Sequence, residues 1–291
     1  MEAGLISAVS GALAQSRRVE IAANNLANAD TVGFKADGAT FEEYIQGAQR
    51  SDEREGESME VSSDISQLSD PQKEKRVVLY GEEFAYLKSG ALQSTNNPLD
   101  LAIEGNGFFE VATPDGIRLT RAGNLSLDRQ GRLVTRDGFL VMADGNPNGA
   151  PEQRAITIGN QKPVVDKDGG IYVVQAGQMQ PVGRIGIVQV GNPSGLKKEG
   201  NGFFSAGDDA DLRRAGQGAG RAPAGEMAAN NPLGPINVPA QVHQGFLESS
   251  NVNPIQEMTQ MIEAHRLFEQ NAKLMQSFGN LNQQSSELGK F

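Results

Sequence analysis

Residues 5–26, LISAVSGALAQSRRVEIAANNL, place Leu5, Val9, Ala12, Ser16, Val19, Ala23 and Leu26 at a 4-3-4-3-4-3 spacing. Six of these seven are apolar, the pattern of a coiled-coil seam. A helix of about 24 residues would be roughly 36 Å long. The same spacing also serves a single amphipathic helix lying on its own domain. The helix runs into residues 22–35, AANNLANADTVGFK, where Asn24, Asn25 and Asn28 crowd together. Asn hydrogen-bonds its own backbone and competes with helical pairing, so this cluster reads as a helix stop or as a set of amide groups meeting a partner.

The carboxyl end mirrors this beginning. Asn253 is a good N-cap, Pro254 fits the first helical position and Gln256 the capping-box position, so a helix of about 35 residues, roughly 50 Å, should start there. Leu267, Leu274, Leu281 and Leu288 recur every seven residues, with Ala264, Asn271, Phe278 and Ser285 at the intermediate seam positions. Helices at both ends, with everything else between them, predict that the two termini pair and that the middle is an insertion.

The composition is polar for 291 residues: 21% charged, 38% hydrophobic, 5% aromatic, with 35 Gly and no Trp. A thin or elongated core follows. The net charge of -10 argues against nucleic acid and anionic membrane surfaces. No run of about 18 apolar residues is present to span a bilayer. MEAGLISAVSGALAQSRR has its basic pair after a broken apolar run, unlike a cleavable secretory signal. The absence of Cys removes disulfides and thiolate chemistry.

Between the helices, residues 46–76 are charged and Ser-rich and read as a solvated linker. From about 84 to 206 short β-type runs alternate with Gly, Asp and Pro: LSLD at 125–128, RLVT at 132–135 and FLVMA at 139–143 are punctuated by Asp128–Gly131 and Arg136–Gly138, which read as hairpin turns. ITIG, PVVD, IYVVQ and GRIGIVQV continue the pattern. Residues 207–246 return as a Gly-, Ala- and Pro-rich linker. The expected organisation is α+β: 1–45 helix and turn, 46–83 linker, 84–206 antiparallel β domain, 207–246 linker and 247–291 helix.

Candidate chemistry is sparse. EGNGFF occurs at Glu104–Phe109 and again at Glu199–Phe204, but neither copy fits a phosphate-binding Gly loop, and a turn between strands is the better reading. His243 and His265 are the only histidines, too few for a multi-His metal site. Asp166–Gly170 begins like a calcium loop, yet Gly177 stands where a bidentate Glu belongs, so a hairpin turn is expected. No G-x-S-x-G elbow is present. No catalytic residue, metal ligand or cofactor is expected. A glycan-cleaving or glycan-binding β domain and a self-contained helical dimer are the competing readings.

Three regions together, SAVSGALAQSRRVEIAANNLANADTVGFK (7–35), NPLDLAIEGNGFFEV with TRAGNLSLDRQGRLVTRDG (97–111 and 120–138), and GFLESSNVNPIQEMTQMIEAHRLFEQNAKLMQ (245–276), resemble the rod and hook proteins of the bacterial flagellum. The ending is more similar to the proximal-rod (FlgF) type than to the distal-rod (FlgG) type. The resemblance implies a structural subunit of the periplasmic basal-body rod, not an enzyme, exported unfolded. Implied partners are further copies of the chain, neighbouring rod subunits of the FlgB, FlgC and FlgG types, and the flagellar type III export apparatus, with no nucleic acid and no direct membrane insertion. It also implies an inner coiled-coil domain whose assembly interface takes Leu5, Val9, Leu13, Val19 and Leu26 from the first helix. At its stop come Asn24, Asn25 and Asn28 as amide groups among subunits, Gly33 with a positive φ and Phe34 anchored in an apolar pocket. Toward the other end come Ser250, Asn251, Val252 and Asn253, then Met258, Met261, Ile262, Leu267, Phe268, Leu274, Phe278 and Leu281.

Overall fold

The computed structural model describes residues 2–46, 75–145, 150–159, 161–175, 177–200, 202–207, 210, 212–214 and 240–288. The acidic segment 51–60 and most of the returning linker lie outside the described residues. The chain divides into two compact units: Met1–Asn24, Ala39–Glu83 and Ile255–Phe291 make the first, Asn25–Gly38 and Phe84–Pro254 the second.

The first unit is built on α1 (Glu2–Ala27), the neighbours β1 (Asp37–Gln46) and β2 (Lys75–Ala85), which form a two-stranded sheet, and α2 (Pro254–Leu288). Strand β2 begins inside the stretch read as linker. Helix α2 begins at Pro254, as the Asn-Pro capping signal predicts. The inner face of α1 is made of small residues, with Ala8, Ser10, Ala12, Ala14 and Ala22 all buried. A Cβ added to Gly4 would stand 2.9 Å from the Phe278 ring, and one on Gly11 would stand 3.2 Å from the Asn271 amide. The two contacts run in opposite directions along the two helices, seven residues apart on each, so α1 and α2 meet antiparallel through glycine. Toward the strands, Ser10 Oγ accepts from the Val78 N–H at 3.3 Å, Arg17 pairs with Glu83, and the Arg18 guanidinium lies 4.6 Å from the centre of the Phe41 ring.

These contacts use one part of the expected seam and leave the other part outward. Of its α1 positions only Ala12 is buried; Leu5, Ser16, Val19 and Leu26 are half-buried, while Val9 and Ala23 are exposed. On α2 the row that turns inward is Ala264, Asn271 and Phe278, whereas Leu267, Leu274 and Leu281 are exposed. The side chains of Ser285 and Leu288 lie outside the description. The physical reason is room: on α1 the contact column holds Gly4 and Gly11, which admit the Phe278 ring and the Asn271 amide of α2, and this column carries the same seven-residue period as the leucines.

The second unit carries the β structure. Its strands are β3 (Leu92–Ser94), β4 (Leu101–Glu104), β5 (Phe108–Thr113), β6 (Gly116–Thr120), β7 (Ser126–Leu127), β8 (Leu133–Val134), β9 (Leu140–Val141), β10 (Pro163–Val165), β11 (Gly170–Gln175) and β12 (Gln178–Arg184). There follow β13 (Ile187–Val190), β14 (Leu196–Glu199), β15 (Phe203–Ala206), β16 (Leu212–Arg214), β17 (Gln241–Gln244) and β18 (Phe246–Glu248). A nine-stranded sheet runs β14-β15-β6-β5-β9-β8-β7, with β13 pairing both β5 and β16; β10-β11-β12 form a second sheet. Strands β17 and β18, from the region around the return to α2, pair antiparallel with β4 and β3. The pairings given for this unit are antiparallel, as the closely spaced turns predict.

The turns form where Asp-x-x-Gly and Asp-Gly were read. Gly131 and Gly138 have φ of 73° and 86°, and Asp128 Oδ1 accepts from the Gln130 and Arg132 N–H groups at 2.9 and 2.8 Å. The core fills from alternating positions: Leu101, Ile103, Phe109, Val111, Leu133, Val141, Ile171, Ile185 and Ile187 pack in one cluster, Phe108, Leu119, Val188 and Phe204 in another. Each fully buried side chain of this size contributes about 1.5–3 kcal/mol. Both EGNGFF copies are turns between strands, but different ones: the positive φ falls on Gly105, the first glycine, in one copy and on Gly202, the second glycine, in the other. Their phenylalanines meet, Phe108 edge-on to Phe204 with ring centres 5.5 Å apart.

Candidate assembly surfaces and the junction of the chain ends

In the first unit, what the helices leave outward is apolar. Helix α2 exposes Ile255, Met258, Ile262, Leu267, Leu274 and Leu281, and α1 exposes Val9 and Leu13, the last at 67%. Ile255 and Ile262 stand seven residues apart, as do Leu267, Leu274 and Leu281, so the exposed groups keep the helical register that burial in a partner requires. Single exposed leucines are ordinary; a row of them along a 35-residue helix is not. Met261, Phe268 and Phe278 are half-buried, as are Leu5, Val19 and Leu26.

Asn24 ends a segment of the first unit, and the second unit holds Asn25, Asn28 and the turn. Asn25 is buried, accepting at Oδ1 from the Asp37 N–H at 2.8 Å and donating from Nδ2 to the Asp37 carbonyl at 3.0 Å. The amide closes a twelve-residue loop of its own chain, so its oxygen and nitrogen both bond within the subunit. Asn24 is exposed, and Asn28 is half-buried with its Oδ1 accepting from Thr31 Oγ1 at 3.2 Å. Gly33 has the expected positive φ, 69°, and a Cβ there would lie 2.4 Å from the Arg121 carbonyl carbon. Phe34 is buried, but its face is covered by a cation: Lys198 Nζ lies 3.7 Å from the ring centre while donating to the Lys35 carbonyl and the Asp37 carboxylate at 2.8 and 2.6 Å.

Asn251 performs the matching task at the other end of the chain. Its Oδ1 accepts from the Ala36 N–H at 2.7 Å, and its Nδ2 donates to the carbonyls of Tyr86 and Lys88 at 2.6 and 3.0 Å. Ser250 Oγ accepts from the Val252 N–H at 3.3 Å. Val252 is half-buried and Asn253 exposed.

Beneath these amides lies a charged cluster that the sequence reading did not single out. Glu248, 1% exposed, accepts at Oε1 from Lys35 Nζ at 2.6 Å and the Gly90 N–H at 2.8 Å, and at Oε2 from Arg121 at 3.0 Å. Arg121 also donates to the carbonyls of Ile103 and Gly105, and Lys35 to that of Lys88. Burial pushes the Glu248 carboxyl up, yet Arg121 and Lys35 together hold it below the usual carboxylate range. Burial lowers Lys35, against the attraction of Glu248 and with the repulsion of Arg121. Three charges so far apart in sequence leave no periodic mark; the available signal was that each sits inside one of the three quoted stretches, TVGFK, TRAGN and GFLESSN.

His243 Nε2 lies 2.6 Å from Glu104 on the β17–β4 pair, and His265 pairs with Glu269 on α2. Asp166 Oδ1 accepts from the N–H groups of Asp168 and Gly170, closing a turn as expected. Among the described residues no three acidic or imidazole groups gather as a metal-binding set.

Three family models match this chain: flagella basal body rod protein over residues 5–35, flagellar hook protein FlgE/F/G D1 domain over 102–179, and flagellar basal body rod FlgEFG protein C-terminal over 243–288. Among full-length relatives, the flagellar basal-body rod protein FlgG of Bacillus subtilis is 33% identical, with 93% of each chain covered. FlgG of Caulobacter vibrioides is 33% identical, with 98% of each covered, and FlgF of Rhizobium meliloti 32%, with 99% of each. Identity of this extent, over 93–99% of both chains, means that the chain belongs to the FlgF/FlgG family of flagellar basal-body rod proteins.

Proposed function

We propose that this structural subunit of the basal-body rod polymerises through its terminal helices, with Leu267, Leu274 and Leu281 of α2 and Val9 and Leu13 of α1 buried against further copies and neighbouring rod subunits in an inner coiled-coil layer. The observation that carries the reading is the contrast in burial: the β unit has a filled core, while the helices show an in-register apolar row to solvent. The helices then gain their stability from neighbours, so ordering of the ends is coupled to assembly. Delivery is in the unfolded state through the flagellar type III apparatus, and the working role is mechanical, without chemical turnover.

A triple variant Leu267→Gln, Leu274→Gln, Leu281→Gln tests this. It should remain monomeric under conditions where the wild type assembles, with the β unit unchanged by circular dichroism; assembly at wild-type rate would refute the interface. Within the rod we assign the proximal, FlgF-type place, on the ending SNVNPIQEMTQMIEAHRLFE. Basal bodies from cells lacking the FlgG-type subunit should still contain a proximal subunit, and its absence from them would assign the distal place.

A further inference from the structure

The Lys35–Glu248–Arg121 cluster joins residues 213 and 127 positions apart in sequence. The side chains of Lys35 and Glu248 have no exposed surface, and that of Arg121 has 1%. The charge balance is uneven, two cations for one carboxylate, and the carboxylate comes last along the chain. Without it, two like charges would face each other out of reach of water, an arrangement that a protein interior tolerates badly.

The hydrogen bonds say which partner would let go. Arg121 keeps the carbonyls of Ile103 and Gly105 whether or not Glu248 is present. Lys35 keeps only that of Lys88. Arg121 Nε is buried with no hydrogen-bond partner, so the cluster is held by charge rather than by a complete set of bonds. The segment carrying Lys35 is held from two sides: Lys198 donates to the Lys35 carbonyl and covers Phe34, and the Tyr86 N–H donates to the Ala36 carbonyl, while from the C-terminal stretch come the Glu248 carbonyl, accepting from the Gly33 N–H at 2.8 Å, and Asn251, accepting from the Ala36 N–H. The β body around Arg121 has its own core.

We propose that Glu248 is a completion lock: the strap Gly33–Ala36, which follows α1 and meets Lys198 and Tyr86 on the β unit, seats Lys35 beside Arg121 only when the C-terminal segment places a carboxylate between them. A chain not yet complete through Glu248 would keep its N-terminal strap loosely held, because the site awaiting Lys35 is cationic. Once Glu248 arrives, the two segments that lead to the terminal helices are fixed side by side in one step. This device stands on the second unit alone and is independent of how the helices assemble.

The test is hydrogen exchange by mass spectrometry on the full chain at neutral pH, comparing peptides covering 31–38 with core peptides covering 107–113 and 185–190. In Glu248→Gln the strap peptide should exchange about a hundredfold faster or more, a larger factor than the core peptides show. Adding Lys35→Met to that variant removes the like-charge conflict and should return the strap to within about tenfold of wild type. Wild-type protection of the strap in Glu248→Gln overturns the proposal, and so does a double variant that exchanges as fast as the single one. Should the single variant lose the core as well, the double variant decides: recovery of core and strap together assigns the cause to the two buried cations, and no recovery overturns the lock.

Discussion

The two units bury opposite things. In the first, α1 turns alanines and glycines inward and leaves Val9 and Leu13 in water, while α2 exposes its leucines. In the second, large apolar groups are inside, and even charges are buried once they are paired: Lys35, Arg121 and Glu248 in one cluster, Glu110 with Arg154 in another. Removing a charge from water is justified only in a finished site, whereas exposing a leucine row makes sense only in an unfinished one. On the proposed function, the β unit is complete in the single chain and the helices are completed by neighbouring subunits. Substitutions should therefore act on folding in one unit and on association in the other.

The largest break in that contrast is Glu248→Ala. It strands Lys35 and Arg121 without their carboxylate and should cost about 3–5 kcal/mol of β-unit stability, read as a lower urea midpoint of the β signal. A variant with an unshifted midpoint would mean that the cluster is solvated in solution. Acid acts on the same group more gently, because a protonated carboxyl still accepts hydrogen bonds. The folded carboxyl is held below its usual value, so its contribution is fully present above the unfolded value of about 4.3 and is lost as pH falls through the lower folded one. The stability gap between wild type and Glu248→Gln should narrow over that window, as followed by urea titrations at stepped pH. Lys35 is displaced downward too, by burial first; its cost is present below its folded value and relieved as pH rises toward the unfolded one, so it shapes the alkaline limb.

Asn25→Ala sharpens the comparison at the point where α1 ends. Both of its amide bonds go to the Asp37 backbone, so the monomer itself should lose about 1–3 kcal/mol, before any assembly, measured by thermal or urea unfolding at low concentration. An unchanged monomer with defective assembly would return the residue to the subunit interface.

How much of this could be read from the sequence follows the same division. Period and punctuation were legible: two terminal helices, the start of α2 at Pro254, and hairpins at Gly131 and Gly138. Which helical row faces the chain's own partner was not, because Gly4 and Gly11 repeat with the same seven-residue period as the leucines, and only distance of approach separates the two rows. The positive φ of Gly33 was legible from its residue type; the cation over Phe34 was not, since Lys198 is remote in sequence. The buried triad escaped for a related reason: isolated charges in a string read by default as surface, and only folding shows that three of them meet.

Leu274→Gln should have the smallest effect on the folded monomer and the clearest on its fate. The side chain is half in water already, 49% exposed, and a straight-chain polar residue keeps helix propensity, so monomer stability should stay within about 0.5 kcal/mol. In an assembled layer the same position would place an amide among apolar neighbours, raising the concentration needed to polymerise, which sedimentation of a dilution series reads directly. Two results separate the causes. Loss of assembly with an intact monomer assigns the leucine row to contacts between subunits, while loss of both would mean that α2 already buries Leu274 within the chain and that the helices are as finished as the β unit.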